Sequence, residues 1–154
     1  MRIADLGLSA PIDGCSCLNE QHDLNNHRCC DLGKLYQIAG TECLLAPEIR
    51  AYLGEGKVHQ GYDGQAVDVF NAGIVLFNLL FATGPFHSAS ADDDYYKHIF
   101  ENDSRGFWNK QVKRNLDVGS LSPKVLKLVE CLIDADPKRR PSVQMTIKII
   151  KRLI

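Results

Sequence analysis

Gly40-Thr41-Glu42-Cys43-Leu44-Leu45-Ala46-Pro47-Glu48 is the stretch on which the fold turns. Pro47 suits the first turn of a short helix, because its missing N–H would lack an intrahelical partner there. Gly54 and Gly56 then stop that helix. Ahead of Gly40, residues 8–40 are polar and weakly periodic, with Gly14, Gly33, Asn25-Asn26 and four cysteines, a composition that reads as a long loop. Arg2-Ile3-Ala4 reads as the tail of a strand.

Beyond Glu48 the pattern is helical. A helix is expected from Val67 to about Ala82, apolar nearly all round, and so a buried central post ended by Thr83-Gly84-Pro85. Ser90 and Asp93 form a capping-box-like start to a helix running through Tyr95, Tyr96, Ile99 and Phe100. Ser122-Pro123 opens another, with Val125, Leu128, Val129, Leu132 and Ile133 as a one-sided stripe closed by Asp136-Pro137. A last helix from about Pro141 carries Val143, Ile147, Ile150 and Ile154 on one side. No segment shows sustained strand alternation, so the class expected is all-α apart from the loop.

Composition narrows the function classes. The 154 residues carry a formal net charge of −1, which gives no general field for nucleic acid or anionic membrane. Val69–Ala82, interrupted by Asn71, Gly73 and Asn78, is shorter than the ~20 residues a membrane span needs. With no signal-peptide pattern at the start, a soluble cytoplasmic protein with six free cysteines is expected. No nucleic-acid or membrane partner is expected.

Four strings occur in a telling order: Asp5-Leu6-Gly7, Ala46-Pro47-Glu48, Asp68-Val69-Phe70-Asn71-Ala72-Gly73, and Asp134-Ala135-Asp136-Pro137-Lys138-Arg139-Arg140. Together they resemble the C-terminal lobe of a eukaryotic protein kinase, with Leu6 where the family has Phe and Phe70 where a Trp is common. Thr41, and the lack of a Pro-x-x-Trp pattern before Ala46, resemble the serine/threonine branch. The resemblance implies a mainly α fold, the helical C-lobe of the protein-kinase-like fold. In it, residues 1–48 run from the D-L-G turn to the end of the activation segment, and residues 49–154 form the helical subdomain.

It also implies roles. Asp5 would bind Mg²⁺ and, through it, ATP in the intact family member. Thr41 would accommodate the acceptor hydroxyl, and Leu44 and Leu45 would line the pocket for the residue after it. Glu48 and Arg140 would pair in the interior, and Asp68 would accept hydrogen bonds from the backbone of a catalytic loop. Asp31-Leu32-Gly33 and His27-Arg28-Cys29 mimic family motifs out of place and are set aside.

Only four residues precede Asp5, and the 154 residues contain no Gly-rich loop, phosphate-pairing lysine or catalytic-loop Asp and Asn. The expectation is a lobe truncated before the catalytic loop, marginally stable and inactive alone. Its helices would leave apolar faces open to a partner: a protein substrate or the missing N-lobe. The alternative is a catalytically dead lobe acting as a protein-binding scaffold.

Three further features remain. Cys15, Cys17, His22, His27, Cys29 and Cys30 could supply zinc ligands, but without a familiar spacing; a mobile activation loop is the reading preferred. Tyr36 is the only hydroxyl side chain from Asp31 to Ala39, so switching by phosphorylation just ahead of Gly40 is not expected; Ser16 is a remote candidate. Lys148-Ile149-Ile150-Lys151-Arg152-Leu153-Ile154 is basic and amphipathic, compatible with a calmodulin-type target or a membrane contact, and expected chiefly as the final packing helix.

Overall fold

The computed structural model describes residues 34–53 and 57–153. Elements follow in the order β1 (Lys34–Gln37), α1 (Pro47–Arg50), β2 (Lys57–Asp63), α2 (Gly64–Phe81), α3 (Tyr96–Phe100), α4 (Ser104–Lys113), α5 (Pro123–Leu132) and α6 (Val143–Lys151). Short 3₁₀ turns occupy Glu42–Leu44 and Val118–Ser120.

The fold is mainly helical, but the all-α expectation needs correcting. β1 and β2 pair antiparallel, Lys34 opposite Asp63 and Leu35 opposite Tyr62, with an irregularity before Gln37 meets Lys57. Part of the stretch read as loop is therefore strand. β2 carries little alternation, and Gly61 interrupts it. That glycine sits at φ +66°, and a Cβ there would lie 2.9 Å from the Tyr36 ring, so no larger residue fits without displacing β1. Tyr62 fastens the pair further, its hydroxyl donating to the Gln37 carbonyl at 2.8 Å.

α2 begins three residues earlier than its apolar pattern, because the Asp63 carboxylate caps it, accepting from the backbone of Gln65 and Ala66. Ala82 ends it in the left-handed region at φ 54°. By length and composition alone this 18-residue helix is apolar enough to cross a membrane. In the fold its Val69, Phe70, Gly73, Ile74 and Phe77 side is core. Phe77 packs against Phe81, Phe107 and Trp108, and Phe70 against Phe86 and Tyr96. Its other side is open: Val75 is 57% and Leu79 80% exposed, so the central post is covered on one side only.

α3 is capped by Asp93, not by Ser90. The Asp93 carboxylate accepts from the backbone of Tyr95, Tyr96, His87 and Ser88, at 2.9–3.1 Å. Burial pushes this carboxyl up, but those four N–H groups outweigh it and hold it below the usual range. α4 carries no apolar stripe and escapes a periodicity reading. It is built from Phe107, Trp108 and Gln111, with Gln111 donating to the Pro85 carbonyl and Trp108 to Glu130.

α5 buries Leu128, Val129 and Leu132 on α2. In α6 Thr146 is the buried residue, and Ile149 and Leu153 pack against the Val69–Leu128–Leu132 cluster. Val143, Ile147 and Ile150 face outward.

Tyr96 is fully buried, yet its hydroxyl has no hydrogen-bond partner among the described residues. Burial pushes its ionisation well above the ordinary tyrosine range. An unpaired buried hydroxyl destabilises, so Tyr96→Phe is expected to leave stability unchanged or raise it by about 1 kcal/mol. Urea unfolding measures this; a clear loss would show that the hydroxyl has a partner.

Candidate functional site

The site lies where the segment ahead of α1 meets the open side of α2. Arg140, in the turn between α5 and α6, reaches across 92 residues of sequence to Glu48. The two interact as a fork: Nη1 donates to Oε1 at 2.7 Å and Nη2 to Oε2 at 2.8 Å. Nη1 also donates to the Ala66 carbonyl at 3.0 Å, and Nε to the Asp134 carbonyl at 2.9 Å. The guanidinium stacks 4.8 Å above the Phe70 ring. Its side chain is 1% exposed and that of Glu48 16%. A planar guanidinium suits this role because its five donors point in fixed directions, and here they tie together α1, the start of α2 and the α5–α6 turn. The rest of the basic run is solvated: Lys138 and Arg139 are exposed, with Arg139 paired to Asp134 at 2.7 Å.

Glu48 thereby fixes α1, and α1 fixes what precedes it. Ala46 is buried in the main core, and Leu45 joins Ile49, Val58 and Tyr62 in a second cluster. Arg50 adds a second tie, donating to the Glu42 carbonyl at 3.1 Å. Leu44 points the other way and is 44% exposed. The result is a groove of about 280 Å³. Ala39, Gly40, Thr41, Leu44 and Leu45 line it on the segment side. Val67, Asn71, Ile74, Val75 and Asn78 of α2 line it opposite. The Asn71 side-chain oxygen is buried without a hydrogen-bond partner among the described residues, leaving an acceptor at a wall of the groove.

The structure thus brings Thr41, Leu44 and Leu45 to one groove and joins Glu48 to Arg140. Asp5 lies outside the described residues, as do the Cys15–Cys30 ligand set, Ser16, His27-Arg28-Cys29 and Asp31-Leu32-Gly33. Among the described residues no group of three His, Cys, Asp or Glu side chains could hold a metal. The described cysteines, Cys43 and Cys131, are free thiols. Sequence reasoning missed the α2 wall. Its signal was present as Asn71, Val75 and Asn78 at i, i+4 and i+7, two polar residues masking a shared face.

Asp68 stands exposed near the start of α2, and no donor among the described residues reaches it. Partial desolvation by its neighbours, then the charge of Asp63, hold its carboxyl above the usual range. A raised carboxyl makes the folded chain bind more protons than the unfolded one across that window, so stability falls as pH rises through it. Asp68→Asn is therefore expected to raise the melting temperature at neutral pH, with the gain vanishing below about pH 4. A gain equal at all pH values would remove the titration of Asp68 as its cause.

The comparisons with known proteins agree with this geometry. Residues 1–149 match the protein kinase domain family. The chain is similar to CBL-interacting serine/threonine-protein kinase 20 of Arabidopsis thaliana, 28% identical over 144 residues, covering 94% of this chain and 25% of that protein. Serine/threonine-protein kinase ELM1 of Saccharomyces cerevisiae is 27% identical over 127 residues, covering 82% and 18%. CBL-interacting protein kinase 2 of Oryza sativa is 31% identical over 97 residues, covering 63% and 17%. The chain spans about a quarter or less of the length of these relatives. With its family match running through both partners of the Glu48–Arg140 fork, the chain belongs to the protein kinase family.

Proposed function

We propose that the chain forms the helical lower lobe of a serine/threonine protein kinase domain and carries its protein-substrate segment. One observation carries this reading: Glu48, locked to Arg140, anchors a segment whose Thr41, Leu44 and Leu45 line an open groove. Phosphoryl transfer depends mostly on positioning and charge neutralisation. In this reading Thr41 stands beside the acceptor hydroxyl of a protein substrate, and Leu44 and Leu45 receive the next side chain. ATP and Mg²⁺ belong to the intact family member, with Asp5 as the ligand from this chain. A cytoplasmic location fits this role.

By themselves these 154 residues transfer no phosphate, since they contain no catalytic-loop aspartate to orient the acceptor and no phosphate-pairing lysine. A binding role without transfer, as a scaffold, is the second reading. The exposure of Val75 and Leu79 on α2 favours it.

The experiment is a peptide array probed with the purified chain, alongside labelled ATP and Mg²⁺. Serine and threonine peptides with an apolar residue after the acceptor should bind, Leu44→Asp should abolish that binding, and no label should be incorporated. Binding unaffected by Leu44→Asp would overturn the substrate-segment reading. Steady incorporation of label would overturn the inactivity of the chain alone.

A further inference from the structure

The orientation of α6 leaves a surface that the kinase reading does not use. The helix is anchored through Thr146, Ile149 and Leu153, so its inner side is already occupied. On its outer side Val143, Ile147 and Ile150 recur one turn apart and are 36%, 48% and 39% exposed. Round the rest of the outward half of the helix stand Lys151, next to the stripe, then Lys148 and Arg152, all exposed. No carboxylate side chain occurs from Ser142 to Ile154. No salt bridge to these three bases exists among the described residues. Aliphatic side chains one turn apart, flanked by uncompensated positive charge, are the two ingredients of attachment to an anionic apolar boundary.

We propose that the outward side of α6 docks on an anionic phospholipid surface, the aliphatic stripe entering the headgroup layer and the three bases meeting lipid phosphates and carboxylates. The locked inner side decides between occupants. A protein that wraps a basic amphipathic helix needs all of its faces, and α6 would have to leave Val69, Leu128 and Leu132 to provide them. A planar surface needs only the face already on offer. The expected absence of a membrane partner rested on the chain's net charge of −1, which averages away a local cluster of three bases. This inference is independent of the groove and of phosphoryl transfer.

The test is co-sedimentation of the 154-residue chain with phosphatidylcholine vesicles, with and without phosphatidylserine. Binding is expected only with phosphatidylserine, and should weaken at high salt as the charges are screened. Each base is worth roughly a fivefold change in partition, so the triple variant Lys148→Gln, Lys151→Gln, Arg152→Gln should bind on the order of a hundredfold more weakly. Ile147→Asp, on the exposed stripe, should also abolish binding, with the melting temperature of both variants held near that of the parent. Equal binding to phosphatidylcholine alone, no binding to either vesicle, or a triple variant that binds like the parent would each overturn the proposal. So would displacement of the chain by millimolar inorganic phosphate, which would mark a phosphate site in place of a lipid surface. Tight binding to calcium-loaded calmodulin without vesicle binding would assign the face to an acidic protein and overturn it as well.

Discussion

Arg140→Ala should lower the stability of this chain by about 3–5 kcal/mol, the largest loss expected from any single polar substitution in it. The substitution leaves the Glu48 carboxylate enclosed without its counter-charge, and the carbonyls of Ala66 and Asp134 each lose a donor. At about 2–4 °C per kcal/mol for a chain of this size, the melting temperature should fall by about 6–20 °C. Lys138→Ala, two residues away and exposed, should stay within about 0.5 kcal/mol of the parent. Two companions separate charge from fork geometry. The double variant Glu48→Ala, Arg140→Ala should lose less than the sum of the single changes, because the partners act on each other. Arg140→Lys should recover only part of the loss, since an ammonium cannot make the paired bonds. If Arg140→Ala melts with Lys138→Ala, the fork does not hold the segment in solution.

Gly73→Val is expected to destabilise by about 1–3 kcal/mol or more, through overpacking at the closest approach of α2 and α5. A Cβ at Gly73 would stand 2.6 Å from Ile133 Cγ2 and 2.8 Å from Leu132 Cβ. The second of these atoms sits next to the backbone and cannot rotate away, so the helices themselves must separate. Gly73→Ala should show a smaller loss in the same direction. Ile133→Ala in the Gly73→Val background should cost less than it does in the parent, because it removes one of the colliding atoms. Urea unfolding gives all four values; a Gly73→Val variant as stable as the parent would mean that α5 does not approach α2 this closely.

Legibility from the sequence followed the kind of signal each element left. α5 was plain because Ser122-Pro123 opens it and its apolar residues fall on one side. α2 and α1 were plain for similar reasons. α4 was not, because its burial comes from two adjacent aromatics and a glutamine, which produce no period. β2 was hidden by its polar residues and by Gly61; its existence depends on a partner strand that a local window does not include. The stripe of α6 was seen, but the side of the helix that is anchored, through Thr146, Ile149 and Leu153, was not. Periodicity shows that a helix has an apolar face, not which neighbour meets it. Thr146 can take the inward position because its hydroxyl is satisfied by the Ser142 carbonyl at 3.0 Å, within its own helix.

The site followed the same rule. Glu48 and Arg140 were each named from short strings, and their contact spans 92 residues, a distance that no periodicity covers. Thr41, Leu44 and Leu45 were named together, whereas the α2 wall facing them was not, because Asn71 and Asn78 read as interruptions of an apolar helix. Asp68 was named, but its exposure depends on what stands opposite it.

The long span closed by Arg140 also bears on how the chain is made. A ribosome releases Glu48 well before Arg140 is synthesised, so the groove-bearing segment emerges without the side chain that fastens it. Contacts so distant along the chain form late and slowly. During that interval the nascent polypeptide exposes an unpaired carboxylate and the apolar residues around Ala46, a window in which a chaperone has something to hold. Arg140 must leave the ribosome before the groove can take its shape.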